Sequence, residues 1–372
     1  MILFSYEYPP CSGGIARLCV EISTALKKDK RDLRILTQQY DGAYLAAGPA
    51  LIAVPAERPW REWAAFKWLR KQSSDMPVIC GLWYPEGLVT LLSGIKQRII
   101  LAHGAELFPP VQTWRRPFWA ILQRWVLESA RLVVANSEYT RKLVLTVAPR
   151  ARVETIVLAV DHERFSPGNR AAAKQRLGLE GKRVVCTVSR VHQYKGHDVV
   201  LRAISQLSAD ERASLIYVVA GTGPYEKELK TLAVQLGLGP VVRWYGFVPE
   251  EDLSLVYRAS DLFALCTQEL TSQRSVEGFG LVFLEAQACG TPAVGTRSGG
   301  IGDALEDGDG GWLVDPNDSE ALAVILRELV HAPEKFRAAG QRARERVVRE
   351  FTWDQYVSRF SEAIDRALVR HE

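Results

Sequence analysis

Short apolar runs alternating with helix-length amphipathic segments constrain this 372-residue chain more than any other feature. Runs at Met1–Tyr6, Leu33–Thr37, Val78–Leu82, Arg98–His103 and Leu132–Ala135 have the length and apolar content of buried strands. Val184–Ser189, Leu215–Ala220, Val241–Tyr245, Leu262–Cys266 and Pro292–Gly295 repeat the pattern. Between them, Gly14–Lys27, Trp114–Ser129, His197–Leu207, Tyr225–Leu236, Glu251–Ala259 and Ser319–Leu329 carry helical periodicity. Strand–helix alternation of this kind builds parallel sheets from right-handed crossover units. The fold class expected is α/β, with doubly wound sheets.

A single core rarely grows to this length, so two domains are expected. The alternation pauses at Glu163–Arg170, where Ser166-Pro167-Gly168-Asn169 forms a turn-rich linker. The boundaries expected are 1–165, 166–350 and a C-terminal helix at 351–372 that packs back on the first domain. Two doubly wound domains joined this way face each other across a cleft, with ligands beyond the carboxyl ends of the strands.

Composition excludes several classes. Hydrophobic residues make up 47% of the chain and charged residues 24%, as in a soluble globular protein. No apolar run reaches the roughly 18 residues a membrane span needs. The N-terminus lacks a basic stretch and soon meets Pro9-Pro10, so no signal peptide is expected. The six cysteines are scattered without a Cys-x-x-Cys pair, which fits a reducing cytoplasm; Cys186 and Cys266 lie inside apolar runs and read as small hydrophobes. The net charge of +4 conceals an asymmetry. Up to Phe165 basic residues exceed acidic ones, and beyond it the balance reverses. A basic first half suits an anionic partner, but nothing else points to nucleic acid, and none is expected as a partner.

Five segments carry chemistry. Pro9–Gly14 follows the first strand and opens the first helix, where Gly13 and Gly14 let backbone N–H groups approach an anion. His103, in His103-Gly104-Ala105-Glu106, lies just past a strand of the first domain. Ser189–Gly196 follows the strand Val184–Ser189 and projects Arg190 and Lys195, two cations suited to a diphosphate. Gly221-Thr222-Gly223-Pro224-Tyr225-Glu226 resembles a dinucleotide fingerprint only in part, because Glu226 stands where a third glycine belongs. Glu277-Gly278-Phe279-Gly280-Leu281-Val282-Phe283-Leu284-Glu285 sets two carboxylates eight apart. Gly278 and Gly280 disfavour one helix through both. A glycine loop carrying Glu277 is expected instead, then a helix from about Leu281 with Glu285 one turn in. No metal-ligand cluster is apparent.

Taken together these segments, with Gly246–Asp252 and Cys289–Gly300, resemble the family-4 retaining glycosyltransferases of the GT-B architecture. The spacing Glu277…Glu285 matches that family's Glu-x7-Glu signature. The run Glu277–Thr291 is similar to bacterial GDP-mannose-dependent mannosyltransferases acting on phosphatidylinositol mannosides and polysaccharide precursors. The resemblance implies a hexose, mannose first, moved from a nucleoside-diphosphate sugar with retention to a glycan or lipid-linked acceptor. It assigns the diphosphate to Arg190 and Lys195, backbone donors to Gly14, Leu281 and Val282 beside Gly13 and Gly280, and the ribose to Glu285. Glu277 and His103 would hold the donor sugar, and the Gly246–Pro249 turn would flank the base. No Asp-x-Asp clamp is seen, so neither metal nor cofactor is expected. Rival readings are a glycoside hydrolase using Glu277 and Glu285, which leaves Arg190 and Lys195 without a task, a nucleotide-sugar epimerase of the same fold, and a non-catalytic glycan-binding relative.

Two departures stand out. Leu158-Ala159-Val160-Asp161 replaces the frequent Asn-Gly-Val-Asp, and Gly299-Gly300-Ile301-Gly302-Asp303 ends one methylene short of Gly-Gly-x-x-Glu. The polar stretch Cys266–Val276 is expected to order around the donor. On the acceptor side, Trp60–Lys71 and Trp114–Trp125 mix tryptophan with arginine and lysine, and seven of the ten tryptophans precede Phe165. Such segments suit docking to an anionic bilayer. The location expected is the cytoplasm, peripheral on the inner face of the plasma membrane.

Overall fold

The computed structural model describes residues 1–11, 13–40, 50–110, 113–270 and 273–369. Thirteen strands form among them: β1 (Ile2–Phe4), β2 (Arg34–Gln38), β3 (Ala50–Val54), β4 (Val78–Cys80), β5 (Arg98–Ala102), β6 (Leu132–Ala135), β7 (Val153–Thr155), β8 (Arg183–Val188), β9 (Leu215–Ala220), β10 (Val242–Gly246), β11 (Leu262–Leu265), β12 (Ala293–Thr296) and β13 (Gly311–Val314). They make two wholly parallel sheets, ordered β3-β2-β1-β4-β5-β6-β7 and β10-β9-β8-β11-β12-β13. Both orders run outward from a first strand and then reverse, the doubly wound Rossmann pattern.

The chain divides into two compact units, Met1–Leu158 with Trp353–Glu372, and Ala159–Thr352. Each has its own core. In the first, Ile2, Phe4, Val78, Ile100 and Val133 pack from the central strands. In the second, Val185, Tyr217, Val219, Leu262 and Ala264 pack against Val200, Leu201 and Ile204 of the helix His197–Ser205. Central strands are buried on both faces, which is why they read as continuous apolar runs. All six cysteines are free, and every one except Cys11 is buried.

Three strands escape the sequence pattern: β3, β7 and β13. Each is an edge of its sheet. The side chains of Val153, Glu154 and Thr155 are all half-buried, and a short, half-solvated edge lacks a continuous apolar signal. Helix boundaries shift slightly where polar turns tighten the first turn. The segment expected as Glu251–Ala259 is a 3₁₀ turn, Glu250–Asp252, followed by a helix, Leu253–Ala259. Among the described residues no helix is long and apolar enough to cross a membrane.

Candidate active site

Strand order locates the site. In the second sheet the order reverses between β8 and β11, which lie side by side. A crevice opens at such a switch point, beyond the carboxyl ends of the two strands. The loop after β8 carries Arg190 and Lys195. The loop after β11 leads to Glu277.

Lys195 ends the 3₁₀ turn Gln193–Lys195, and Gly196 then opens the helix His197–Ser205. Gly196 has φ +70°, and a Cβ there would strike the Cys266 carbonyl. Only glycine lets the β8 loop touch the β11 loop so closely. A second tie is the Gln268 N–H, which donates to the Tyr194 carbonyl at 2.8 Å. These contacts bring Lys195 Nζ to 2.6 Å from Glu277 Oε2. Both side chains are mostly buried, 11% and 16% exposed. Burial works against the Lys195 ammonium, but Glu277 and Tyr194 outweigh it and hold its pKa above the ordinary lysine value. Arg190 is exposed, and among the described residues its guanidinium has no ion-pair partner. Beyond burial, Arg190 and Lys195 together pull the His192 pKa down, so both charges bear on one loop.

Glu277 is held from below. The Gly300 N–H donates to its carbonyl at 2.9 Å, and a Cβ on Gly299 would strike that same oxygen. The Gly299-Gly300 pair thus seats the glycine loop. Gly280 is the N-cap, and the helix runs Leu281–Ala288, so the Leu281 and Val282 amides are among the first-turn donors without an intrahelical acceptor. Glu285 lies one turn into this helix, as expected, and is buried at 5% exposure. Every residue from Phe283 to Ala288 is buried, and Tyr257 Oη donates to Glu285 Oε2 at 2.9 Å. Thr271 and Ser272, within the stretch expected to order around the donor, lie outside the described residues.

Gly13, Gly14 and His103 belong to the first unit. Gly13 caps the helix Gly14–Lys28, both glycines are exposed, and open space surrounds their Cβ positions. Ser12, between them and Cys11, lies outside the described residues. His103 follows β5. Its N–H donates to Glu106 Oε1 at 2.6 Å, and its Nε2 is 2.9 Å from the Gly81 carbonyl. A carbonyl can only accept, so Nε2 carries a proton and Nδ1 is the ring nitrogen left to face other groups.

Sequence reading missed Glu86. It lies in the π-turn Trp83–Gly87 after β4, at the first sheet's own switch point beside β1. Tyr6 N–H donates to its Oε1 at 3.1 Å, whereas buried Oε2 has no partner among the described residues. Burial raises its pKa to about 7. A lone glutamate beside Trp83-Tyr84-Pro85 carries no motif that could have singled it out.

Comparison with known proteins supplies the family. Residues 169–346 match the model described as Glycosyl transferases group 1, and residues 12–164 match Glycosyltransferase Family 4. A GDP-mannose-dependent alpha-(1-6)-phosphatidylinositol monomannoside mannosyltransferase of Mycolicibacterium smegmatis is 30% identical over 276 residues, 73% of this chain and 71% of that protein. The chain belongs to the family-4 glycosyltransferases. Another relative in this family is a D-inositol 3-phosphate glycosyltransferase of Rhodococcus jostii, 35% identical over 257 residues, 67% of this chain. The match spans little more than half of that relative's own length, 55%. Sucrose-phosphate synthase from Thermosynechococcus elongatus superposes with a TM-score of 0.82 at 21% identity, covering 100% of this chain and 99% of that one. That likeness shows the glycosyltransferase fold, GT-B, with its two Rossmann-like units. Among the described residues of this glycosyltransferase, no three His, Cys, Asp or Glu side chains cluster as metal ligands would.

Proposed function

We propose that the protein transfers a hexose, mannose first, from a nucleoside-diphosphate sugar to a glycan or lipid-linked acceptor with retention at the anomeric carbon. The Lys195–Glu277 pair at a strand switch point carries this reading. Cleaving a glycosyl phosphate develops negative charge on the departing diphosphate. Lys195 is held charged by its surroundings, Arg190 is uncommitted, and the first turn of the helix Leu281–Ala288 offers amides. Donors fixed in advance stabilise such charge without reorganising. Arg190 and Lys195 then take the part a divalent ion plays elsewhere, and the reading needs neither metal nor cofactor. Glu277 anchors Lys195 and faces the sugar; Glu285, oriented by Tyr257, takes the ribose. His103 would accept from a sugar hydroxyl through Nδ1, and the Gly14 amide would add a donor.

Mannose from GDP-mannose draws support from the mycobacterial relative's printed activity; the Rhodococcus relative points to inositol phosphate as an acceptor. Attachment to an anionic bilayer, and with it a place on the cytoplasmic membrane face, draws on another observation. Phe118, Ile121 and Trp125 are 50–70% exposed, at helical spacing on Arg116–Glu128, with Trp114 just before. Aromatic and basic side chains on one helix face suit the bilayer interface.

A thermal-shift panel of GDP, UDP, ADP and their sugar conjugates tests the donor. One nucleotide class should raise the melting temperature by mass action, and Arg190→Ala should abolish the rise. No rise with any of them would overturn the donor reading. Failure to sediment with anionic liposomes at low salt would remove the membrane part alone.

A further inference from the structure

At the opposite end of the first sheet, where strands begin, cations gather. Parallel pairing sets the entries of β5, β6 and β7 side by side. Arg131 N–H donates to the Arg98 carbonyl at 2.8 Å, and Val133 N–H to the Arg152 carbonyl at 2.8 Å. Strands lie about 4.8 Å apart, so Arg98, Arg131 and Arg152 stand in a row. With Lys96 and Arg150 they line one cavity of about 460 Å³, where Glu128 is the one carboxylate among the described residues.

That carboxylate is already engaged. Arg124 Nε and the Arg150 backbone N–H both donate to Glu128 Oε1, each at 3.1 Å. Lys96, Arg150 and Arg152 are exposed and have no salt bridge among the described residues. Arg98 is 5% exposed. Two of its nitrogens donate to the Ile95 and Ser129 carbonyls, tying down the end of the helix Arg116–Glu128. Its Nε is buried without a partner among the described residues.

Helix capping accounts for Arg98 alone. It leaves four further cations converging with one spent carboxylate between them. Like charges set side by side on adjacent strands are destabilising, and a buried guanidinium atom left unpaired adds a desolvation cost. A bound anion would offset both. Guanidinium forks match phosphate oxygens bidentately, and the cavity is of the size that holds a small phosphorylated molecule or a headgroup.

We propose that this cavity binds a phosphate-bearing anion, at a site on the far edge of the sheet from the strand ends that carry the candidate chemistry. Arg150 and Arg152 engage it from the rim, with Lys96 and Arg131 adding charge from the flanking strand entries. The ligand is a phosphomonoester, a pyrophosphate or a phospholipid headgroup.

Two titrations of the full chain test this. The first follows inorganic pyrophosphate by calorimetry in an Arg190→Ala/Lys195→Ala background, which removes the candidate donor-phosphate cations. The second follows sedimentation with phosphatidylglycerol vesicles, phosphatidylcholine vesicles serving as the neutral arm. Arg150→Gln/Arg152→Gln should weaken at least one of these at least tenfold relative to Lys142→Gln, an exposed charge elsewhere on the same unit. Loss in the pyrophosphate arm assigns a soluble phosphate. Loss confined to the anionic vesicles assigns a headgroup. If both arms stay within twofold of the Lys142→Gln control, the proposal is wrong.

Discussion

Lys195 and Glu277 are 82 residues apart in sequence, yet Lys195 Nζ donates to Glu277 Oε2 at 2.6 Å. The pair joins the loop after β8 to the loop after β11, so it couples the charge proposed to meet a phosphate to the carboxylate proposed to face the sugar. Lys195→Ala should cut turnover about a hundredfold, the scale for losing one preorganised donor to developing negative charge. Glu277→Gln should cut it at least tenfold and also lower stability, because the ammonium stays behind without its partner. Steady-state rates and melting temperatures of the two variants check this. Near-normal rates in both would separate the pair from the chemistry.

Gly196→Ala tests whether the two loops must touch. The left-handed backbone costs a side chain about 1–2 kcal/mol, and the new methyl group also meets the Cys266 carbonyl. The loops must part. Melting should fall by several degrees, and affinity for the nucleotide should fall with it. A variant that melts like the parent would show that the loop contact is dispensable.

Glu86 predicts a pH dependence. Its folded-state pKa is about 7, raised first by burial, against about 4.3 in an unfolded chain. Below pH 4 the carboxyl is neutral in both states and costs nothing. As the pH rises toward 7, the unfolded state gives up its proton more readily, and stability falls. The full loss is on the order of 3 kcal/mol above pH 7. Glu86→Gln should therefore be more stable than the parent at pH 8 and similar at pH 4. Denaturant midpoints at the two values decide it; equal differences at both would place the charge elsewhere.

How much of this was legible in sequence follows from burial. Central strands such as β8 and β9 are apolar from end to end, so both doubly wound sheets were readable. Edge strands β3, β7 and β13 were not, because one side of each is partly wet. Arg190, Lys195 and Glu277 could be found because glycines mark the loops that carry them. That Lys195 and Glu277 pair could not be, since the contact depends on Gly196 meeting Cys266 across 70 residues of chain. The burial of Glu285 could not be read either: nothing near it in sequence announces that Tyr257, 28 residues earlier, donates to its carboxylate. Glu86 and the arginines at the entries of β5, β6 and β7 gain meaning only once strand order is known.

The last prediction concerns His197, buried at the start of the helix that follows the loop carrying Arg190 and Lys195. Thr187 Oγ1 donates to the Ala264 carbonyl at 2.5 Å, which spends its only proton. The 2.8 Å contact between Thr187 and Tyr217 must then use the tyrosine proton. Tyr217 Oη can only accept from His197 Nδ1, at 3.2 Å, leaving Nε2 facing Ser189 Oγ at 3.1 Å. Nδ1 is thereby fixed as a protonated nitrogen, and it is burial that disfavours a second proton on the ring. Burial first, then the Lys195 charge, lowers its pKa to about 3, against about 6.5 unfolded. Above pH 6.5 the ring is neutral in both states. Between pH 6.5 and 3 the unfolded state takes up a proton that the native state refuses, so stability drains away as the pH falls, by up to about 4–5 kcal/mol. His197→Gln cannot take up that proton. It should begin less stable at pH 7 and lose less on acidification, so the gap to the parent narrows at pH 4. Acid-unfolding curves of both proteins check this, and a gap that stays constant from pH 7 to 4 would show that His197 does not drive the acid loss.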